Sequence, residues 1–364
     1  MKPTSPGFRV AVVGASSLLG QELITVLEER QFPVARLVKF ETEAEEPDLP
    51  ILDLQQDSQA SEPADEVSGT QFDFIFLAAA PPSASAATGL LRRAAEGNCA
   101  VIDLISTGEP AAADSSGEAP APVLRIPSLE RAGLAAPVVH RPGPASTRVF
   151  LSAHPAAMVI SSLLLRLAAR FRLRSATAHI FAPVSEMGAR AVEELQKQSV
   201  NLMSFQKPPQ TVFGAQLAFN VLPRWGHART SALTELEKRI RVQTRHYLAD
   251  RVPLPALRLV QVPVFYSLAF SLYVEMAEEA ALEAVSQALQ GEHIRVRKAS
   301  QPAPSQVEAA GSNDILIDAL ARDAASSHGV WIWATADNLR LAAVNAVEIA
   351  ESLRGTRSPA RVQW

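Results

Sequence analysis

The residues best suited to chemistry in this chain are a single cysteine and a few histidines. Cys99 begins an apolar segment and has no basic residue directly beside it, so a buried and unreactive thiol is expected. His154 precedes Pro155 and an apolar helix, which favours a capping role over a role in a cleft. Because His179 and His227 have no cysteine or carboxylate at ligand spacing, no metal site is predicted.

Two other pairs of residues are predicted to be structural. Ser152 and Ser161 have no identifiable base, so the sequence gives little support to a serine hydrolase. Trp331 and Trp333 alternate along a predicted strand, which favours a place in the core over a stack on a ligand.

A glycine-containing turn near the N-terminus has the composition of a nucleotide phosphate site. Dinucleotide-binding turns use glycine where the backbone approaches the pyrophosphate and where the helix packs on the strand, and helix N-termini bind anions. Gly14 and Gly20 therefore fit either a weak anion site or a turn that needs glycine only for its conformation and packing. The candidate cofactor residues are Gly14, Ala15, Ser16, Ser17, Leu18 and Gly20.

Apolar strands alternating with helices are predicted to position this turn in a sheet. The strands Phe8–Val13, Phe72–Ala80 and Ala100–Ile105 alternate with helices near Leu18–Glu29 and Leu90–Glu96. This alternation predicts an α/β fold with a doubly wound parallel sheet.

From about Leu151 the pattern changes to a long helix followed by a mixture of helices and strands. The strands are predicted at Ala176–Ala182, Leu257–Phe265 and Ala269–Met276, and a helix at Gly188–Leu202. The second part of the chain is therefore predicted to be α+β with an antiparallel sheet.

Length and composition exclude several classes of function. The 364 residues, of which 48% are hydrophobic and 20% charged, suit two globular domains. We predict them at 1–150 and 151–336, with the helix of 337–364 returning to the first. The net charge of -4 provides no attraction to nucleic acid or an anionic membrane. One cysteine, no leader-like N-terminus and no apolar run of about 18 residues lead us to expect a cytoplasmic protein.

Five ordered segments carry a resemblance to a known family. They are Arg9–Ser16, Ala218–Pro223, Val262–Phe265, Ala336–Arg340 and Asn345–Glu351. Their residues and order resemble those of aspartate-semialdehyde dehydrogenases along nearly the whole chain. Within that family, the chain resembles a degenerate USG-1-like member in particular. The resemblance implies a Rossmann-like domain, a dimerisation and substrate domain, and a homodimer.

The resemblance also implies where the family's reaction would take place, and inert residues occupy those positions. The family's nucleophilic cysteine aligns with Ala157 and its histidine base with Leu268. Neither a methyl group nor an isobutyl group can act as nucleophile or base. Two arginines of the family are replaced by Glu109 and Gln261, and the first of these changes reverses the charge expected for an anion site.

Some features of the substrate site and the cofactor site remain. The resemblance implies that Glu235 and Arg239 are remnants of a substrate pocket, where Gln243 replaces a charged ligand. In the cofactor turn, Ser17 stands at the position of a third glycine and adds a side chain beside the expected phosphate path. Glu41 lies where the family binds the adenosine 2′-phosphate, so NADP is disfavoured, and Glu41 is either a ribose ligand or part of a solvated acidic loop.

Two further cofactor contacts are altered. The family's Ala-Gly-Gly-Ser loop becomes Ala80-Pro81-Pro82-Ser83, in which two backbone N–H donors are lost. A Lys-Gly pair in the C-terminal helix becomes Leu341-Ala342. Binding of NAD(P) is therefore expected to be weak or absent.

Together these positions predict a catalytically silent relative with a binding role, as a structural or regulatory partner or as a sensor of a small metabolite. An active NAD(P)-dependent oxidoreductase of altered mechanism or specificity is the alternative, since hydride transfer to a ketone or imine needs no thiol. A third hypothesis is an active dehydrogenase with a different nucleophile, for which the chain offers only Cys99.

Overall fold

The described residues of the computed structural model fall into two compact units. They comprise 7–41, 62–63, 72–79, 99–105, 122–136, 149–225, 232–249 and 251–354. Those of the first unit lie within 1–127, 137–153 and 342–364, and those of the second within 128–136 and 154–341. Among the described helices, none combines the length and the apolarity that are needed to span a bilayer.

The first unit is built on a parallel sheet, as predicted. Its strands are β1 Phe8–Val13, β2 Val34–Glu41, β3 Glu62–Pro63, β4 Phe74–Leu77, β5 Ala100–Asp103, β6 Val123–Arg125 and β7 Val149–Ser152. They are ordered β3-β2-β1-β4-β5-β7-β6, and every adjacent pair is parallel. Strand β4 is shorter than the predicted Phe72–Ala80 strand, and the predicted helix at 90–96 lies outside the described residues.

The helices of the described residues include one that contributes to both units. They are α1 Leu18–Glu29, α2 Pro127–Arg131, α3 Pro155–Ala168, α4 Ala189–Met203, α5 Ala232–Leu248, α6 Leu282–Leu289, α7 Gln306–Ala309 and α8 Asn338–Arg354. In the first unit, side chains of α8 between Ala343 and Leu353 pack with β1, β4 and α1 in one hydrophobic core. The rings of Phe8 and Phe74 meet edge to face in this core, with centroids 5.2 Å apart.

The second unit is α+β, as predicted, and its sheet has an antiparallel centre with a parallel pair at each edge. Its strands are β8 Leu173–Ala182, β9 Ala256–Gln261, β10 Leu268–Met276, β11 Ile294–Val296, β12 Ile315–Ile317, β13 Ala321–Arg322 and β14 Gly329–Ala336. The centre β12-β14-β10-β8 is antiparallel, but the edge pairs β8–β9 and β11–β12 are parallel. Helices separate the two strands of each parallel pair in sequence and supply the crossover that parallel pairing requires.

The prediction that Trp331 and Trp333 are core residues is wrong. In β14 they alternate with the buried Val330 and Ile332, so they lie on the opposite face of the sheet. Trp331 is 38% exposed. Its ring packs on Tyr273 with centroids 5.0 Å apart.

Candidate functional site

The two glycines of the N-terminal turn have a demonstrable backbone role. Gly14 has a φ of 77°, in the left-handed region that favours glycine. A Cβ at Gly20 would lie 2.1 Å from the carbonyl oxygen of Gly14, so the first turn of α1 packs directly on the end of β1. Ala15 is buried in the same core, and Leu18 is the first residue of α1. The requirement for conformation and packing is therefore enough to explain both glycines.

Ser17 uses its hydroxyl within the turn itself. It is buried and caps α1, where its Oγ accepts the N–H of Gly20 at 3.0 Å. The same hydroxyl donates to the carbonyl oxygen of Gly14 at 2.8 Å. Both bonds lie within the turn, because serine is a preferred N-cap residue that satisfies free N–H groups of a first helical turn.

Glu41 is the last residue of β2 rather than a loop residue, and it binds the turn. Its Oε2 accepts the backbone N–H of Ser16 at 3.1 Å and also the Ser16 hydroxyl. The N–H groups of Gly14, Ala15 and Ser17 are bonded to backbone carbonyls. The described part of the phosphate turn is a poor fit to a nucleotide, because a phosphate would meet a carboxylate of the chain and N–H groups that are already bonded.

In the second unit, the start of α3 contains the predicted nucleophile position. His154 is the N-cap, Pro155 follows it, and Ala157 lies in the first turn with no exposed surface. The Nδ1 atom of His154 accepts the N–H of Ala156 at 3.1 Å. The predicted capping role of His154 is thus confirmed.

The cap selects the tautomer of the neutral His154 ring. Because Nδ1 uses its lone pair to accept an N–H, the proton of the neutral ring resides on Nε2. Nε2 lies 3.0 Å from Oε2 of Glu186, to which it donates. Both side chains are nearly buried, with 5% of His154 and 9% of Glu186 exposed. Neither ring nitrogen is left to act as a base in this arrangement.

Glu186 lies in a 3₁₀ turn, Val184–Met187, and belongs to a buried polar cluster that sequence reasoning did not anticipate. Burial alone raises the pKa of Glu186, but His154, the charge of Arg239 and a hydrogen bond with Asn338 together lower that pKa below its usual value. The cluster therefore holds Glu186 as a carboxylate.

The other predicted positions in the second unit have structural partners or are buried. Gln243 is buried, and its Oε1 accepts the backbone N–H of His154 at 2.7 Å. Gln261 ends β9 and donates from Nε2 to the carbonyl oxygen of Ala182 at 2.9 Å. Leu268, at the predicted base position, begins β10 and is 1% exposed.

The two proposed pocket remnants differ in their surroundings. Glu235 and Arg239 are one helical turn apart in α5, but Glu235 is exposed while Arg239 is half-buried. The charge of Arg239 acts on Glu186. Of these two residues, Arg239 is therefore the one whose charge reaches the cluster of His154 and Glu186.

Several other sequence predictions have varied outcomes. Cys99 is buried, as expected, and His179 is an exposed residue of β8. Glu109, Ala80–Ser83 and His227 lie outside the described residues.

Two domain families of known proteins match the sequence of this chain. Residues 9–113 match the semialdehyde dehydrogenase NAD binding domain, and residues 164–341 match the semialdehyde dehydrogenase dimerisation domain.

Two relatives are each 27% identical to this chain and cover 96% of it and 98% of their own length. One is the aspartate-semialdehyde dehydrogenase of Shewanella violacea, and the other is a USG-1 protein homolog of Pseudomonas aeruginosa.

Solved structures agree in fold. A probable aspartate-semialdehyde dehydrogenase from Pseudomonas aeruginosa has a TM-score of 0.78 at 26% identity, and the match covers 96% of this chain and 98% of that one. Aspartate semialdehyde dehydrogenase II from Vibrio cholerae reaches the same TM-score at 23% identity, covering 96% of this chain and 99% of its own. Together with the two domain matches, these relatives show that the chain belongs to the aspartate-semialdehyde dehydrogenase family, which here includes USG-1-like members.

Proposed function

We propose that this chain is a catalytically silent member of its family, with a binding, regulatory or structural role as a homodimer. The observation on which the proposal rests is the arrangement of Ala157 and His154 at the start of α3. Ala157 presents a methyl group where the resemblance implies a thiolate, and the lone pair of His154 is used by the N–H of Ala156. Nucleophilic catalysis needs a nucleophile and a base within hydrogen-bond reach, and these two residues supply neither.

The neighbouring positions support the same proposal. Gln243 and Gln261 each form a hydrogen bond to the backbone, and Leu268 is packed at the start of β10. A neutral amide bonded to the backbone is a weaker partner for an anion than arginine, which offers a charge and paired donors. The polar groups of this region therefore serve the fold.

Weak nucleotide binding is part of the proposal. The carboxylate of Glu41 on the N–H of Ser16 disfavours a pyrophosphate at the turn, and it disfavours a 2′-phosphate even more. An oxidoreductase cannot transfer a hydride without its nicotinamide cofactor, so this property separates the proposal from the alternative of an active NAD(P)-dependent enzyme.

The homodimer is proposed from the dimerisation-domain match and from the outer face of the second sheet. That face carries four aromatic residues, Phe181, Tyr273, Trp331 and Trp333, which pack in two pairs. Trp331 is exposed and the other three are partly exposed. Accessible aromatic residues in a contiguous patch are typical of protein interfaces. A second copy of the chain is the occupant that the domain match favours, and an active relative or another protein is the alternative.

Two measurements on the purified chain test the proposal. The first is the oxidation of aspartate semialdehyde with phosphate and NAD or NADP, for which we expect no turnover above a heat-treated control. The second is a fluorescence titration with NAD and NADP, for which we expect no saturation up to millimolar concentrations. Turnover near that of an active relative would overturn the proposal. Saturable cofactor binding without this turnover would favour the alternative oxidoreductase, and loss of turnover in Cys99→Ser would identify a different nucleophile.

A further inference from the structure

The buried carboxylate of Glu186 lies among donors that are held in place by other bonds. The ring of His154 is fixed by its cap on Ala156, which directs Nε2–H to Glu186. Asn338 uses its Oδ1 to accept both the Ser185 hydroxyl at 3.2 Å and the Ser267 N–H at 3.1 Å. Its amide nitrogen is then the group left to face Glu186, and Asn338 lowers the pKa of that carboxyl.

The cluster also contains a positive charge and a hydroxyl group that is able to form a further hydrogen bond. Arg239 is close enough for its charge to act on Glu186. Ser267 is fully buried, and its Oγ has no hydrogen-bond partner within the described residues. Ser267 also has a φ of 72°, an uncommon conformation for serine. An imidazole N–H, an amide N–H and a guanidinium are the groups that bind a carboxylate in proteins.

The carboxylate bound by these groups belongs to the chain itself, because Glu186 is held beside them by a short 3₁₀ turn. The 3₁₀ turn of Glu186 is held by two backbone bonds, from Val184 to Val264 at 2.9 Å and from Ser185 to Phe265 at 3.0 Å. A tethered group has a high effective concentration, so it excludes a free ligand of the same chemistry.

We infer that Glu186 occupies, from within the chain, a site built to bind a small carboxylate. Removing its side chain should therefore create a binding site for a free monocarboxylate of matching size. Glu186→Ala deletes a CH2COO− group, and acetate replaces this group almost atom for atom. The inference concerns binding within the second unit, so it is independent of whether the chain turns over a substrate.

Thermal unfolding of Glu186→Ala in acetate tests this inference. Acetate should raise the melting temperature of the variant saturably, by about 3–6 °C above the effect of sodium chloride at equal ionic strength. Formate should act more weakly, and butyrate should have no effect because it exceeds the vacated space. The wild-type chain and Glu283→Ala, which removes an exposed carboxylate of α6, should respond equally to acetate and chloride.

Two further variants locate the binding site. Glu186→Gln fills the space with a neutral isostere and should not respond to acetate. In Glu186→Ala/Arg239→Gln the acetate response should fall at least several-fold, since the positive charge is gone.

Three outcomes would overturn the inference. They are a folded Glu186→Ala chain that acetate does not stabilise beyond chloride, an acetate response that is equal in wild type, and a full response in the double variant. If Glu186→Ala does not fold during expression, its refolding yield in acetate and in chloride provides the same comparison. Equal yields in the two salts would also overturn the inference.

Discussion

Glu41 and Ser16 are 25 residues apart in sequence, yet the Glu41 carboxylate accepts the Ser16 backbone N–H at 3.1 Å. The bond joins the end of β2 to the turn after β1, which is where a nucleotide-binding fold of this type receives phosphate. The same contact can be interpreted in two ways, since acidic residues at the end of this strand also bind ribose hydroxyls. The two interpretations predict opposite effects of removing the charge.

We expect Glu41→Gln to strengthen the binding of pyrophosphate and NADP. The substitution removes the like-charge repulsion and weakens the competition for the Ser16 N–H. At roughly 1–2 kcal/mol for one partly solvated charge, the dissociation constant should fall about 5–30-fold. The gain should be larger for NADP than for NAD because of the 2′-phosphate. Isothermal titration calorimetry with the three ligands measures these changes.

Glu28→Gln is the matched control, because it removes an exposed carboxylate from α1 without touching the turn. It should leave all three dissociation constants unchanged. Saturable binding of NAD by the wild type that Glu41→Gln weakens would assign Glu41 to the ribose and contradict the idea that it blocks the turn.

Trp331→Lys should dissociate the proposed homodimer. The substitution removes an aromatic ring from the exposed face and places a charge next to Tyr273. Aromatic residues of this kind contribute about 2 kcal/mol or more at interfaces, so the dimer dissociation constant should rise at least about 30-fold. Sedimentation equilibrium measures it, with Gln287→Lys on an exposed face of α6 as the control. A monomeric wild-type chain would refute the homodimer, and an unchanged variant would place the interface elsewhere.

Glu194→Ala should destabilise the second unit by about 2–4 kcal/mol. Glu194 is a buried residue of α4, and its carboxylate accepts the Thr211 hydroxyl at 2.6 Å and the N–H of Val212 at 2.5 Å. Removing it leaves those donors without their acceptor. Urea unfolding measures the loss, and Glu283→Ala should change the free energy of unfolding by less than about 0.5 kcal/mol. A similarly small effect in Glu194→Ala would show that water replaces the carboxylate.

Local patterns in the sequence were sufficient for much of the fold. The apolar run of β1 and the amphipathic spacing of α1 have the predicted bounds, Phe8–Val13 and Leu18–Glu29. The edge pairs of the second sheet were not predictable, because strand direction there depends on where the intervening helices return the chain.

The candidate site was predictable only in part. His154 was identifiable as a cap from the proline that follows it, whereas its bond to Glu186 joins residues 32 apart in sequence. Glu186 has no periodicity or motif that distinguishes it from a solvated glutamate. The tertiary fold alone brings it to His154 and Arg239.

Acid should remove a stabilising contribution of Glu186. Because the folded-state pKa lies below the usual value of 4.5, the ionised carboxylate stabilises the fold above that pH. The free-energy advantage of wild type over Glu186→Gln should therefore be constant from about pH 7 to 5. It should shrink as the pH falls below 4.5 and through the lower folded-state pKa. Urea titrations of both chains across this pH range measure the difference in their free energies of unfolding. A difference that grows with acidity would contradict the lowered pKa.

Restoring the two missing catalytic groups should not restore the family's reaction. Ala157→Cys with Leu268→His supplies a thiol and an imidazole, but Gln261 still donates to the backbone of Ala182 and Glu186 still binds His154. General acid-base catalysis contributes about 10²–10⁴-fold, and one oriented polar group contributes about 10²–10³-fold. We therefore expect the double variant to remain at least about 100-fold below an active relative in phosphate-dependent oxidation of aspartate semialdehyde. Adding Glu109→Arg and Gln261→Arg should raise the rate further, with Glu283→Arg as the control for charge. Full activity in the double variant would mean that the arginine positions matter far less than their replacement suggests.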